Sequence, residues 1–260
     1  MVNDFDIAAA HYDTVFTFSN IGKAQRHMVF KYLNPIITQN KKLKILELNC
    51  GTGEDAISFA KLGHEVIATD ISESMIKLAS AKSRSKNLNF KVKDINEIEE
   101  NSFDKTFDLI FSNFGGFNCL SKSELQSFFT KASKLLKPEG KMILVIMTKQ
   151  CLWEKLYFSL KGKLKQAKRR QTNDCVLANV DGVDVKTWYY NPKDIIEFTK
   201  SNYKTENIKP IGLAIPPSYL EDSFLSKAPF LPIFKFIDQI LTASVWAKYS
   251  DHFLIELTKK

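Results

Sequence analysis

The residues best placed to do chemistry lie in one short run, Ile45-Leu46-Glu47-Leu48-Asn49-Cys50-Gly51-Thr52-Gly53-Glu54-Asp55. A strand-like apolar stretch enters a Gly-x-Gly turn, and the turn opens a helical segment over 56–62. Asp70 closes the next strand-like stretch, nineteen residues after Gly51. This is the layout of a nucleotide-binding βαβ unit. Glycines let the backbone approach a ligand, the free amides of the helix favour an anionic group, and a strand-end acid can accept from ribose hydroxyls. Glu47, a carboxylate inside the first strand, is the residue that discriminates among nucleotide-like cofactors.

Gly51-x-Gly53-x-x-Ala56 also fits the loose dinucleotide fingerprint. A dinucleotide, however, presents its pyrophosphate to the helix N-terminus, where Glu47 would repel it. A cofactor with an amino-acid end brings an ammonium beside its carboxylate and tolerates the acid. The rest of the chain also lacks a second glycine-rich half.

The run Glu47-x-x-x-Gly51-x-Gly53 continues into Gly63-His64-Glu65-Val66-Ile67-Ala68-Thr69-Asp70-Ile71-Ser72-Glu73-Ser74-Met75. Lys93-Asp94-Ile95, Phe107-Asp108-Leu109-Ile110-Phe111-Ser112-Asn113 and Leu136-Lys137-Pro138-Glu139-Gly140 follow. In order and spacing, over about residues 40–150, these segments resemble the class I (Rossmann-like) S-adenosylmethionine-dependent methyltransferases. The resemblance implies S-adenosyl-L-methionine as cofactor and S-adenosyl-L-homocysteine as product. It places Glu47, Asn49, Gly51 and Gly53 at the methionine end and Asp70 on the ribose. Ile71 and Met75 would pack on the adenine, Asp94 and Ile95 would read it, and Asn113 and Phe114 would flank the transferred methyl. The N-terminal stretch Phe5-Asp6 … His11-Tyr12-Asp13 … Phe16 … Gly22 … Arg26 resembles the entry segment of the ubiquinone- and biotin-pathway methyltransferases. There a Tyr closes over the cofactor and an Arg reaches its carboxylate, roles carried here to Tyr12 and Arg26.

The elements that must position these residues follow from periodicity. Residues 5–39 read as helical segments ending at Pro35. Strands are expected at about 44–49, 65–70, 89–93, 107–113 and 141–147, with helices at about 54–62, 72–86 and 122–136. Ser121 and Glu124 form a capping box for the last helix. Alternating strands and helices imply a parallel sheet covered on both faces. Beyond 150 the alternation breaks. Residues 151–170 read as helical, 175–190 as a strand pair turning at Asp181-Gly182, and 192–201 as a helix capped by Asn191. Strands near 205–213 and 252–258 and a helix around 230–246 complete the pattern. With the resemblance, the expected fold is α/β: a doubly wound, mostly parallel seven-stranded sheet with an antiparallel last strand, an N-terminal helical cap and inserted lid segments. One domain would span 1–260, with the cap at 1–40, the cofactor-binding core at 41–150, and lid insertions at 151–190 and 214–249.

Bulk numbers narrow the classes. The 260 residues are 44% hydrophobic and include 20 Phe, enough for a sizeable core. The most apolar stretch, 228–247, carries Lys235 and Asp238 and is not read as a membrane span. The four cysteines form no Cys-x-x-Cys pair, so neither a disulfide frame nor a metal site is expected, and the setting reads as cytoplasmic. Of the net charge of +8, residues 151–170 hold seven Lys or Arg and one Glu. That segment is either a solvated helix face or a surface for an anionic partner.

Methyl transfer from a sulfonium is an in-line displacement that needs alignment and exclusion of water, and no metal. A general base is required only if the acceptor arrives protonated. His11, beside Tyr12, is the favoured base. His27 lies in the same cap, and His64 reads as solvent-facing. His252 follows Asp251, but neighbours in a strand point to opposite faces. Asn118, Trp153, Glu154, Tyr157, Arg169, Arg170, Trp188 and Tyr190 are the candidate acceptor-pocket residues, an aromatic wall with a few charges suited to a small organic molecule. Three alternatives stand beside a small-molecule methyltransferase. These are an RNA methyltransferase, a non-catalytic cofactor-binding regulator and a NAD-dependent oxidoreductase. The loop Asn113-Phe114-Gly115-Gly116 lacks the Asp/Asn-Pro-Pro-Tyr/Phe tetrad of base-flipping enzymes.

Overall fold

The computed structural model describes residues 4–39, 41–180 and 182–260. Two helices, α1 (Asp4–Tyr12) and α2 (Asn20–Ile37), are joined through a wide π-type turn, Asp13–Thr17. Gly22 is obligatory at this junction, since a Cβ there would lie 1.9 Å from the Phe16 carbonyl oxygen. Five strands, β1 (Lys44–Leu48), β2 (Glu65–Asp70), β3 (Leu88–Val92), β4 (Phe107–Ser112) and β5 (Leu136–Met147), then alternate with helices α3 (Glu54–Lys61), α4 (Glu73–Lys82) and α5 (Lys122–Leu135). Two short helices follow, α6 (Leu152–Leu160) and α7 (Leu164–Ala167), and then a separate hairpin of β6 (Val176–Val180) and β7 (Val183–Thr187). Last come α8 (Pro192–Thr199), β8 (Tyr203–Ile211), α9 (Phe230–Ile240) and β9 (His252–Lys259).

The seven-stranded sheet has the order β3-β2-β1-β4-β5-β9-β8. β1 to β5 pair in parallel, whereas β9 runs antiparallel to both β5 and β8. This is the expected doubly wound sheet with an antiparallel last strand. Alternation along each strand sorts the core into two layers. Leu46, Leu48, Met142, Leu144, Phe253 and Ile255 join Phe128, Phe129 and Tyr203 on the α5 side. Ile45, Phe111, Ile143 and Leu254 join Met28, Leu33 and Phe59 on the α2–α3 side. Glu47 therefore points to the α2–α3 side, the only charged residue of its strand to be fully buried.

Several boundaries differ from the sequence expectation. α2 runs through Pro35 to Ile37, because a proline in the last turn removes a single hydrogen bond while Leu33 and Ile37 remain buried. β5 begins at Leu136 with no linker after α5, and Glu139 (φ 60°) makes the bend within it. The basic 151–170 segment is two helices broken at Gly162, which has φ 70°. The helix expected over 230–246 stops at Ile240, and the chain resumes as a 3-10 turn, Ser244–Tyr249. The 175–190 strand pair forms, although Asp181 of its expected turn lies outside the described residues. The α5 capping box forms as expected: Glu124 Oε2 accepts from the Ser121 amide at 2.7 Å and from its hydroxyl at 2.6 Å. Ser121→Ala is expected to cost about 1 kcal/mol, seen as a melting midpoint lower by roughly 2–4 °C.

Candidate active site

β1 is flanked on one side by β2 and on the other by β4, so the chain order reverses here. The loops after β1 and β4 diverge at their carboxyl ends and open a crevice. Both loops are built from left-handed backbone: Asn49 (φ 54°), Gly51 (φ 52°) and Gly53 (φ 80°) in one, and Phe114 (φ 45°) and Gly115 (φ 81°) in the other. Non-glycine residues in this region are uncommon and cluster at functional sites. Gly53 has a second constraint, since a Cβ would meet the Phe90 ring at 2.7 Å and Ala79 at 2.9 Å. The residue must be glycine for α3 to start against β3.

Tyr12, Arg26, Glu47, Asn49, Gly51, Asn113 and Phe114 line this crevice, as the sequence suggested. Thr17, Cys50, Thr52, Glu54 and Asp55 line it as well. Asp55 is the important addition. It accepts from Asn113 Nδ2 at 2.8 Å and faces Arg26 Nη1 at 3.5 Å. Acids in the first turn of a helix read in sequence as partners of the helix dipole, which concealed its role. Asp70 closes β2 as expected. Its Oδ2 accepts from the Gly51 amide at 2.8 Å and its Oδ1 from the Ser72 amide at 2.9 Å. The acid that was expected on a ribose thus also shapes the glycine turn.

The electrostatics are lopsided. Three buried carboxylates, Glu47, Asp55 and Asp70, gather around one cation, Arg26. Burial, reinforced by Asp55, pushes the Glu47 carboxyl well above the ordinary carboxylate range, with Arg26 opposing. Burial also raises Asp70, and the Ser72 and Gly51 amides offset part of the rise. Burial pushes the Tyr12 phenol up to about 12. Tyr12 therefore stays protonated at neutral pH and is a donor rather than a base. Glu47 Oε2, Arg26 Nε, Thr17 Oγ1 and Asp55 Oδ1 are buried with no hydrogen-bond partner among the described residues.

The N-terminal elements lie across the crevice. Asp13 accepts from the Thr52 hydroxyl at 2.5 Å and pairs with Lys82. Asp6 accepts from the Ser72 hydroxyl at 2.6 Å and the Ser74 amide at 3.0 Å, at the start of α4. The Phe16 ring bridges Tyr12 (5.7 Å) and Phe114 (5.1 Å). His11 is exposed and lines no part of the crevice, and His27 is exposed on α2. Ile71 and Met75 sit at the start of α4. Asp94 caps the turn Ile95–Glu97 through the Asn96 amide, and Ile95 packs with Ile98 and Phe128 in the α5-side core.

The expected acceptor-pocket residues separate into two groups. Asn118 binds Met147 and Trp188 backbone atoms at both ends of its amide, and Tyr190 donates to the Leu120 carbonyl, so both serve packing. Trp188 is half-buried against the α5-side core, and Trp153 donates to the Ala214 carbonyl and packs on Phe234. Tyr157 stacks near Phe158 and Tyr219. Glu154 and Arg170, by contrast, form a buried ionic chain that ends at the crevice. Arg169 Nε and Arg170 Nε both donate to Glu154, and Arg170 Nη2 lies 3.0 Å from Asp251 Oδ1. Asp251 Oδ2 accepts from Gln25 and lies 3.3 Å from His252 Nδ1, and the His252 ring packs edge-on to Phe114 at 5.6 Å. The expectation that Asp251 and His252 point apart is wrong, because Asp251 precedes the first residue of β9 and escapes strand alternation. Burial alone would raise the Asp251 carboxyl, yet His252 and Arg170 hold it well below the usual range. The expectation of a solvent-facing His64 is also wrong. It is buried, with Nδ1 accepting from the Leu43 amide and Nε2 facing the Ile37 carbonyl at 2.8 Å, and it fastens α2 to the sheet.

Comparison with known proteins agrees with this geometry. Residues 45–140 match the methyltransferase domain family. A malonyl-[acyl-carrier protein] O-methyltransferase from Bacillus anthracis is 33% identical over 112 residues, which are 42% of this chain and 39% of that protein. A second malonyl-[acyl-carrier protein] O-methyltransferase, from Ilyobacter polytropus, is 33% identical over 152 residues, 57% of this chain and 54% of that one. The chain thus spans about two fifths to one half of the length of these relatives. An S-adenosylmethionine-dependent methyltransferase from Mesorhizobium loti superposes with a TM-score of 0.57 at 14% identity, covering 93% of this chain and 99% of that one. DhpI, in a complex with SAM and HEP, superposes with a TM-score of 0.62 at 15% identity, covering 98% and 94%.

Residues 45–140 therefore form a methyltransferase domain, set in a class I, Rossmann-like fold. The core is similar in sequence to malonyl-[acyl-carrier protein] O-methyltransferases, and the fold is that of solved S-adenosylmethionine-dependent methyltransferases. The residues present fit that cofactor. A buried Glu47 carboxyl with one oxygen, Oε2, unsatisfied among the described residues, in a crevice lined by several acids, matches an ammonium and a sulfonium.

The ionic chain generates a stability prediction. Arg170→Met leaves Glu154 and Asp251 buried without their shared cation and should cost about 3–5 kcal/mol. Arg169→Met, at a residue one-third exposed, should cost about 0–1 kcal/mol. Urea unfolding of the two variants measures the difference. Asp251, with its depressed folded value, stabilises fully above its unfolded pKa of about 3.9 and loses that share as pH falls towards the folded value. Asp251→Asn should flatten that acid limb.

Proposed function

We propose that this chain transfers a methyl group from S-adenosyl-L-methionine to an oxygen, nitrogen or carbon nucleophile of a small organic metabolite. The observation that carries this reading is the crevice in which buried Glu47 keeps one oxygen, Oε2, unsatisfied among the described residues, near Asp55, Asp70 and Arg26. When bound, the cofactor supplies an activated methyl on a positively charged sulfur. Glu47 would accept from its ammonium and Arg26 would meet its carboxylate. Asp70 would take the ribose hydroxyls, with Ile71, Met75, Asp94 and Ile95 towards the adenine.

The remaining work falls to this chain's own side chains. Tyr12, Phe16 and Phe114 form an aromatic wall that keeps water from the crevice. The neutral Tyr12 hydroxyl orients by donating a hydrogen bond. His252, held by Asp251 and packed on Phe114, takes over from His11 as the group best placed to receive an acceptor's proton. The acceptor would enter from the 151–190 and 214–249 lid segments, where Glu154 and Arg170 tie into Asp251. Relatives named malonyl-[acyl-carrier protein] O-methyltransferase support an acidic, malonyl-like acceptor group. Unpaired cysteines at 50, 119, 151 and 175 support a reducing, cytoplasmic setting.

Thermal unfolding with S-adenosylmethionine, S-adenosylhomocysteine and NAD in separate samples tests the assignment. A ligand at a hundred times its dissociation constant adds about 2.7 kcal/mol, or roughly 5–10 °C. Shifts with the two sulfur compounds and not with NAD are expected, and a shift with NAD alone would overturn the reading of Glu47. Glu47→Gln should weaken S-adenosylmethionine at least ~10-fold, by loss of a charged hydrogen bond of roughly 1.5–3 kcal/mol. The same variant should leave the fold as stable as before or more so, since it removes a buried ionisable group with an unsatisfied oxygen. Because ionised Glu47 is the binding form and its pKa is raised, affinity should climb as pH rises through that value, with proton release on binding. Calorimetry in buffers of different ionisation enthalpy reads the released proton, and Glu47→Gln should abolish it.

A further inference from the structure

The basic segment that the crevice does not use carries a second pattern. Leu152, Leu156, Leu160 and Leu164 recur at every fourth residue of α6 and α7 and are 42–80% exposed. Lys155, Lys161, Lys163, Lys165 and Lys168 lie between and after them, and all but Lys155 are exposed. The one acid of residues 151–173, Glu154, is buried against Arg169 and Arg170 and contributes no surface charge. The outer surface is therefore purely cationic and studded with leucine.

A second apolar face adjoins it. Phe224, Phe230, Ile233, Phe236 and Ile240 are 40–64% exposed, while the opposite side of α9 is fixed by Leu231 and by Asp238, which accepts from the Ala214 amide at 2.6 Å. The two faces meet through Trp153 and Phe234 (5.6 Å) and through Tyr219, which lies 5.9 Å from Tyr157 and 6.1 Å from Phe158. Single exposed apolar residues need no explanation, but a contiguous set of this kind marks an interaction surface.

We propose that α6, α7 and α9 form a docking surface for an anionic phospholipid bilayer. Charge complementarity selects the occupant. Leucine and aromatic side chains flanked by lysines describe a segment that lies in the headgroup region with its apolar residues in the acyl boundary. Each lysine near an anionic leaflet adds about 1 kcal/mol of attraction, close to a fivefold gain in partition. Protein interfaces are depleted in lysine, and leucine is under-represented among their hot spots. The lysine–leucine composition therefore favours lipid over an acidic protein. No helix among the described residues is long and apolar enough to cross a membrane, so the contact is peripheral.

Sedimentation with vesicles, run without cofactor, tests the surface independently of methyl transfer. The expected result is binding to phosphatidylcholine vesicles containing phosphatidylglycerol, and much weaker binding to phosphatidylcholine alone. The double variant Leu156→Gln/Leu160→Gln should lower partition at least ~10-fold, with an unchanged melting curve, since both side chains are exposed. Lys161→Gln/Lys163→Gln/Lys165→Gln should lower it about a hundredfold on the anionic vesicles, and Phe236→Gln should weaken it from the second face. Three results would overturn the proposal: no sedimentation with either vesicle, binding that the leucine pair leaves unchanged, or capture by an acidic carrier protein without vesicle binding. A dimer that the leucine pair dissociates, again without vesicle binding, would assign the face to a second copy of the chain instead.

Discussion

The surplus of buried negative charge at the carboxyl end of β1 is the constraint on which the rest of the site depends. Glu47, Asp55 and Asp70 sit where a class I sheet divides, and one guanidinium, Arg26, stands among them. Unpaired charges of this kind are expensive to bury. Each acid is held differently. Asp70 spends both oxygens on amides of the loops it joins, Asp55 takes Asn113, and Glu47 is left with an oxygen that no described residue satisfies. The left-handed residues of the two loops and the glycine at 53 exist to bring backbone and carboxylates this close. In the proposed reading these features pre-organise the crevice for a cation-bearing ligand, at the expense of local stability.

Much of this was legible in the sequence because it is local. The glycine turn, the acid at the end of β2 and the alternation of strands and helices are written in spacings of a few residues. The antiparallel last strand came through the family resemblance. Less legible was anything that depends on distant partners. Asp55 looks like an ordinary first-turn acid until Arg26 and Asn113 arrive from other elements. His64 looks like a turn residue until the Leu43 amide and the Ile37 carbonyl enclose it. Asp251 looks like half of a strand until its place just before β9 frees it to meet His252. Pro35 looked like a stop, yet burial of the flanking residues outweighed one missing hydrogen bond.

Helix α6 and the crevice are linked by a buried ionic chain. Glu154 on α6 reaches Arg170, Arg170 reaches Asp251, and Asp251 touches both Gln25 of α2 and His252 against Phe114. Tyr189 lies under the Arg170 guanidinium at 4.9 Å and completes its surroundings. Such a chain constrains geometry more than it adds net stability. It makes the orientation of α6 a property that the crevice senses directly, through His252 and Phe114, without a moving part between them.

The place of β9 has a consequence for how the chain is made. This strand is the last of the sheet to be synthesised, yet it lies inside the sheet, paired on both edges with β5 and β8. Until it emerges from the ribosome, β5 presents an open edge of unpaired backbone flanked by Met142, Leu144 and Ile146, residues that end up fully buried. The nascent chain thus carries a sticky edge for more than a hundred residues of elongation, a window in which association with other unfinished chains competes with folding. Closure of the sheet waits for β9, and it is also the event that brings Asp251 to Gln25 and His252 to Phe114.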